Sequence, residues 1–159
     1  MKTTLFIAFF ALISSLQISQ KGLNLIKEFE GCRLEAYKCP AGVWTIGYGT
    51  TDSDYSITKT KIRAGLKISQ QQAEKWLRQS VNKKYCPKVN KYNNKYHWTQ
   101  NEFDAMVSFA YNLGSIDQLT ANGKRTKKEI AQKLVQYGGK IGSSIYNRRK
   151  AEQKLFLSQ

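Results

Sequence analysis

Phe29-Glu30-Gly31-Cys32-Arg33-Leu34-Glu35-Ala36-Tyr37-Lys38-Cys39-Pro40-Ala41-Gly42-Val43-Trp44-Thr45-Ile46-Gly47-Tyr48-Gly49-Thr50 is the stretch whose reading decides the fold. Just before it, Leu23, Ile26 and Phe29 recur at every third position, with Leu25 widening the stripe. That spacing predicts a short amphipathic helix, and Gly31 supplies its stop. Two β-prone runs follow, Leu34–Tyr37 and Val43–Tyr48, joined by the turn Lys38-Cys39-Pro40-Ala41-Gly42. The stretch therefore reads as a helix that leaves a carboxylate, Glu30, at the mouth of a β-hairpin. Gly47 and Gly49 keep the backbone bare enough for a ligand to approach. Three reactive side chains could converge there: Glu30, Cys39 and Thr45.

Downstream, Tyr55–Ile57 offers a third strand, which would make the sheet a three-stranded antiparallel meander. Three helices then announce themselves by capping boxes, a Ser or Thr with Glu or Gln three residues on. The pairs are Ser69/Gln72, Thr99/Glu102 and Thr126/Glu129. The first helix buries Ala73, Trp76, Leu77 and Val81, stops before Pro87 and is long enough to join two lobes. The second carries Phe103, Met106, Val107 and Ala110 on one face, with Gly114 as its stop. The third turns Ile130, Leu134 and Tyr137 inward and ends at Gly138-Gly139. A last helix, about Ser144–Leu157, carries Ile145, Arg148, Leu155 and Phe156. Between the first two, Lys83–Lys95 is a basic connector. A small sheet followed mostly by helices is an α+β arrangement.

At 159 residues the chain is one domain by size. Residues 1–15 read as a signal peptide: Lys2 is the charge, Leu5–Ile13 the apolar run and Ser14-Ser15 the small residues before a cut placed between 15 and 19. The run is too short to span a bilayer, so export to the outside is expected without a stable membrane anchor. Residues 16–159 would then be the single catalytic domain. The formal net charge is +15, and losing Lys2 hardly changes it. Such an excess steers a protein towards anionic surfaces. For an exported chain these are bacterial envelopes and not nucleic acid, for which no recognition motif is present. The three cysteines, Cys32, Cys39 and Cys86, leave at least one thiol unpaired. If Cys39 belongs to the site, the one intramolecular pair that spares it is Cys32–Cys86. One histidine, His97, and no Cys-x-x-Cys spacing exclude a His-rich or paired-Cys zinc site, and no phosphate-cradling glycine loop is found. Neither metal nor cofactor is expected.

Glu30 and Cys39 have eight residues between them, and Cys39 and Thr45 have five, framed by Phe29-Glu30-Gly31 and Thr45-Ile46-Gly47-Tyr48-Gly49. In this the chain resembles the phage-type lysozymes, glycoside hydrolase family 24. The likeness continues through Phe103–Gly114, similar to that family's central core helix, and Asn147–Phe156, similar to its closing Arg-Arg…Glu…Leu-Phe segment. It implies a lysozyme-like fold, with a substrate cleft between a small β-meander lobe and a larger helical lobe. It also places Cys86 at the far end of a long helix, out of reach of Cys32, which leans against a disulfide.

The resemblance implies a muramidase that cuts the β-1,4 bond between N-acetylmuramic acid and N-acetylglucosamine in peptidoglycan and so lyses bacteria. Glycoside cleavage needs a proton donor for the leaving oxygen and a group that positions water or stabilises the oxocarbenium-like transition state. Glu30 is the candidate acid, and desolvation beside aromatic rings would help it hold its proton. Cys39 and Thr45 are assigned to the water or the intermediate. Many members of the family carry Asp where Cys39 stands, and a thiolate could serve there or act as nucleophile. Arg148 is placed across the cleft as the partner of Glu30. Tyr48, Tyr111 and Asn112 are candidate substrate-binding wall residues. The expected partner is peptidoglycan in the anionic wall, and the expected state is a monomer. Two other functions fit the same residues: a cationic, non-enzymatic antimicrobial or wall-binding protein, and a chitinase-like hydrolase.

Overall fold

The computed structural model describes residues 15–159, so the expected signal segment lies outside the described residues. Helix α1, Gln20–Glu30, runs into strands β1, Arg33–Lys38, β2, Trp44–Gly47, and β3, Thr50–Thr51. The sheet is antiparallel in the order β1-β2-β3. Its pairs include Tyr37 opposite Thr45 and Thr45 opposite Thr51. The expected meander is therefore present, but its third strand is Thr50–Thr51 and not Tyr55–Ile57. Residues 55–58 form a helical turn, α2 (Tyr55–Thr58), entered through a 3-10 turn at Asp52–Asp54. A reciprocal cap drives the change of structure: the Thr51 hydroxyl accepts from the Ser53 amide, while the Asp54 carboxylate accepts from the Thr51 amide. The chain then returns along the outer edge of β1. There Ala36 N–H donates to Leu66 O and Ile68 N–H to Leu34 O, both at 2.9 Å.

The remaining elements are α3, Gln70–Lys84; α4, Cys86–Asn90; α5, Asn93–Tyr96; α6, Gln100–Leu113; α7, Asp117–Thr120; α8, Lys127–Leu134; a 3-10 turn, Val135–Gly138; and α9, Ser144–Leu157. The basic connector is thus ordered as α4 and α5. Thr99/Glu102 and Thr126/Glu129 close full capping boxes. At Ser69 only half the box exists: its hydroxyl accepts from the Gln72 amide at 3.1 Å, with no return bond from the Gln72 side chain. Among the described residues apolar burial falls into two clusters. The larger surrounds α6, whose Phe103, Ala105, Met106, Val107 and Ala110 are fully buried. The smaller sets Ile46 and Ile62 against Trp76. Helix α3 gives Trp76 to the small cluster and Ala73, Leu77 and Val81 to the large one. It thereby ties the sheet to the helical body, as its length predicts.

Residues 16–19 are stitched to that body. Leu16 N–H donates to Asn90 Oδ1 and Asn90 Nδ2 donates back to Leu16 O. Ile18, 3% exposed, donates its amide to Asn82 Oδ1. Ser19 caps α1 through its hydroxyl, which accepts from Lys21 N–H and Gly22 N–H and itself donates to buried Asp104. Asp104 leaves no room for any side chain at position 22: a Cβ on Gly22 would lie 2.7 Å from its carboxyl carbon. All three cysteines are free thiols, and Cys86 opens α4 instead of closing α3.

Candidate active site

Glu30 is the last residue of α1, and Gly31 takes φ 67° to turn the chain towards the sheet. Its side chain is 26% exposed and is held by Arg148, whose Nη1 donates to Glu30 Oε1 at 2.5 Å. Arg148 is itself 2% exposed and cannot stray. Its Nε donates to Glu152 Oε1 at 3.1 Å, and its Nη2 donates to the Ser108 carbonyl at 3.1 Å. Glu152, fully buried, accepts further bonds from Ser108 Oγ at 2.7 Å and Arg149 Nη1 at 2.6 Å. Arg149 in turn donates to Asn112 Oδ1 and packs over the Phe109 ring. Residues 148, 149 and 152 lie on one side of α9, which makes this network possible. Burial pushes the Glu152 carboxyl up, against the pull of the two guanidinium groups.

The structure thus brings Glu30 and Arg148 together. Asn112 faces Arg149, so its amide oxygen is committed to the network. Tyr48 is 4% exposed and lies in the main core, with its hydroxyl accepting from Gln70 Nε2 at 2.6 Å. It offers no free ring face to a ligand, which corrects its reading as a wall residue: the alternation of β2 ends at Gly47, and the chain turns Tyr48 inward. Its carbonyl instead accepts from the Tyr111 hydroxyl at 2.7 Å. Tyr111 does line a polar groove. This groove runs between the sheet and the helices, past Gly49, Thr51, Ser53, Ser80 and Tyr85. The Tyr85 and Tyr111 rings meet tilted, 5.0 Å apart. Burial pushes both hydroxyls up, and the Glu30 charge adds to it. The groove thus lies within the electrostatic reach of Glu30. Asp54 closes it, bonded to Lys84 at 2.5 Å and to Ser80 Oγ at 3.0 Å.

Cys39 and Thr45 form a second group, on the hairpin. Cys39 N–H donates to Val43 O at 2.9 Å, and the Thr45 hydroxyl donates to the same carbonyl at 3.0 Å. Thr45 is 5% exposed, while Cys39 is half-buried at the turn. Hydrogen bonding to the Val43 and Ala41 backbone and to the Thr45 hydroxyl holds the Cys39 thiol below the usual thiol range. Among the described residues no hydrogen bond joins this pair to Glu30. The thiol is thus biased towards thiolate and has a hydroxyl beside it, which is the chemistry needed to hold a water or meet an electrophilic carbon.

The residues that sequence reasoning missed are Ser108, Arg149 and Glu152, with Tyr85 in the groove. The i, i+3 and i, i+4 spacing of Arg148, Arg149 and Glu152 was a usable signal, since no solvated helix face needs two arginines on one acid. No group of His, Cys, Asp and Glu among the described residues is arranged to hold a metal.

With the geometry set out, the likenesses to known proteins fall into place. The chain is 40% identical over 146 residues to the endolysin of Lactococcus phage c2, covering 89% of this chain and 60% of that protein. It is 32% identical over 163 residues to the SAR-endolysin of Haemophilus phage HP1, covering 90% and 82%. Against the solved structure of the endolysin from Escherichia coli O157:H7 phage FAHEc1 the TM-score is 0.71 at 36% identity, covering 90% and 94%. The chain spans little more than half the length of several curated relatives, 56% in the case of the endolysin of Bacillus phage PZA. The family model described as phage lysozyme matches residues 27–152, from just before Glu30 to Glu152, and the chain belongs to the phage lysozyme family.

Proposed function

We propose that the chain is an exported muramidase that hydrolyses the β-1,4 bond between N-acetylmuramic acid and N-acetylglucosamine of peptidoglycan, with Glu30 as the general acid. One observation carries the reading: a carboxylate at a helix end, a quarter open to solvent, its direction fixed by a buried arginine. A glycosidic oxygen arriving beside Glu30 would receive its proton. Cys39 and Thr45 would serve the other side of the reaction, by holding the attacking water or the developing positive carbon. Tyr111 and the hydroxyl-rich groove beside it would take the sugar. Export rests on Lys2, the Leu5–Ile13 run and Ser14-Ser15.

Clearing of purified cell walls by wild type and Glu30→Gln tests the proposal. Loss of one positioned acid lowers the rate by about 10²–10⁴-fold. A variant that still clears walls would overturn Glu30 as the acid, and one that no longer clears walls yet kills bacteria as wild type does would hand the killing to the +15 charge instead. Parallel digestion of a chitin oligomer separates the two carbohydrate substrates, and the anomeric form of the first product assigns the stereochemistry.

A further inference from the structure

We infer that Glu152 is a positioning residue for the acid: it shares the charge of Arg148, so that Arg148 aims Glu30 without stripping its proton. The inference rests on Glu30 being the acid. A guanidinium in direct contact with a carboxylate aims it well and also favours its ionised form. A general acid needs the first effect and is harmed by the second. In this chain Arg148 does not act alone. Its Nη1 is on Glu30, its Nε is on Glu152, and its Nη2 is on Ser108. Glu152 is bonded on both oxygens, with Arg148 and Ser108 on one and Arg149 on the other.

With Glu152 kept ionised by a guanidinium donor on each of its oxygens, the cluster of Glu30, Arg148, Arg149 and Glu152 is neutral when Glu30 is ionised and carries one positive charge when Glu30 is protonated. Without Glu152 those charges become one and two. Glu30 would then sit beside two buried cations with no buried counter-charge, and its ionised form would gain. Without Arg149 the charges become minus one and zero, and the protonated form would gain. Among the described residues, the other titratable groups within reach of the Glu30 charge are Tyr85, which caps the end of α3, and Tyr111 of α6. Burial pushes both up, so they stay neutral through the working range. Facing Glu152 from α6 is Ser108, which carries no charge, and Asn112 meets Arg149 from the same helix. The sign of the effect is thus set by Arg149 and Glu152.

The test is the pH profile of kcat/KM on purified walls, whose alkaline limb reports loss of the acid's proton. Glu152→Gln moves that limb towards acid by about one pH unit, the size expected for one charge acting through about two hydrogen-bond lengths in a partly buried site, and Arg149→Met, one hydrogen bond further from Glu30, moves it towards alkali by a smaller amount. Glu152→Asp keeps the charge and leaves the limb near wild type. The double variant Arg149→Met, Glu152→Met removes both charges, brings the limb back near wild type and guards against the single variants failing to fold. Lower kcat with an unmoved limb in these variants would reduce Glu152 to a packing element and overturn the inference. Glu30→Gln is run alongside. If it stays active, the assignment of the acid has failed; if it is inactive while the limbs stand still, only the role of Glu152 has.

Discussion

Ser19→Ala is the substitution that best tests how the Glu30-bearing helix is held. The Ser19 hydroxyl caps α1 by accepting from Lys21 N–H and Gly22 N–H, and it donates to Asp104, which is fully buried. Losing a serine cap costs about 0.5–2 kcal/mol. Losing a hydrogen bond to a charged group costs about 1.5–3 kcal/mol. Asp104 keeps Ser19 N–H at 3.0 Å and Gln100 Nε2 at 2.9 Å, so its charge is not stranded and the lower halves of both ranges apply. The expected loss is about 3 kcal/mol, which in a chain of this size lowers Tm by about 6–12 °C. Ser69→Ala is the internal control. Ser69 caps α3 through the Gln72 amide alone and touches no acid, so its loss should be about 1 kcal/mol. Thermal unfolding followed by circular dichroism reads both. Wall-clearing at 25 °C should survive in each, because Glu30 lies at the opposite end of an 11-residue helix. Equal shifts for the two variants would refute the reasoning, since they would mean that the bond to Asp104 adds nothing beyond the cap.

Chains that begin at Leu16 or at Gln20 should differ sharply. The longer keeps the bonds from Leu16 to Asn90 and from Ile18 to Asn82, the shorter loses them, and a lower Tm of the Gln20 chain is the check; the N-terminal mass of exported protein should show a cut that leaves Leu16 in place. Thiol labelling at neutral pH should modify Cys39 first, because its neighbours favour the thiolate, and Thr45→Val should slow that step; Cys86, 2% exposed, should react only on unfolding. Burial pushes the Cys86 thiol up to about 11 from an ordinary value of 9.0. A folded value above the unfolded one means stability that is intact below pH 9 and lost as pH climbs towards 11, to the extent of about 2–3 kcal/mol. The stability gap between wild type and Cys86→Ala should therefore shrink by that amount from pH 8 to pH 11. A constant gap would contradict it, and other alkaline titrations cancel in the difference.

Most of the fold was legible because local signals agreed with the tertiary result. The stripe Leu23, Leu25 and Ile26 is buried as its period requires, and Thr99/Glu102 and Thr126/Glu129 mark true helix starts. The third strand was misplaced because Tyr55-Ser56-Ile57 alternates like a strand, while the stronger signal sits upstream. Thr51 and Asp54 are three apart, and an aspartate there closes the same reciprocal bonds as the usual glutamate. Leu66-Lys67-Ile68 alternates, but over three residues only, too short a run to mark a strand by itself; backbone bonds of Leu66 and Ile68 to Ala36 and Leu34 fix it at the sheet edge. Tyr48 misled for the opposite reason: it continues a β-prone run in sequence but follows Gly47, whose φ of 62° breaks the strand's alternation.

The site divides along the same line. Glu30, Cys39 and Thr45 are close in sequence, so their spacing could be read directly. The groups that govern Glu30 are more than seventy residues away, on α6 and α9, and the spacing of Arg148, Arg149 and Glu152 marks them as a cluster without saying which carboxylate they face. Two neighbouring arginines on a helix point about 100° apart and normally seek different partners. Here Glu152, one turn on, reaches both, and it does so where all three side chains are buried from solvent. Such a cluster adds little net stability over a well-packed apolar one. Its retention in this chain is better explained by what it does to the single carboxylate that reaches solvent. An aliphatic core could support α1 equally well, but it could not fix the direction of Glu30 and limit the field that acts on its proton.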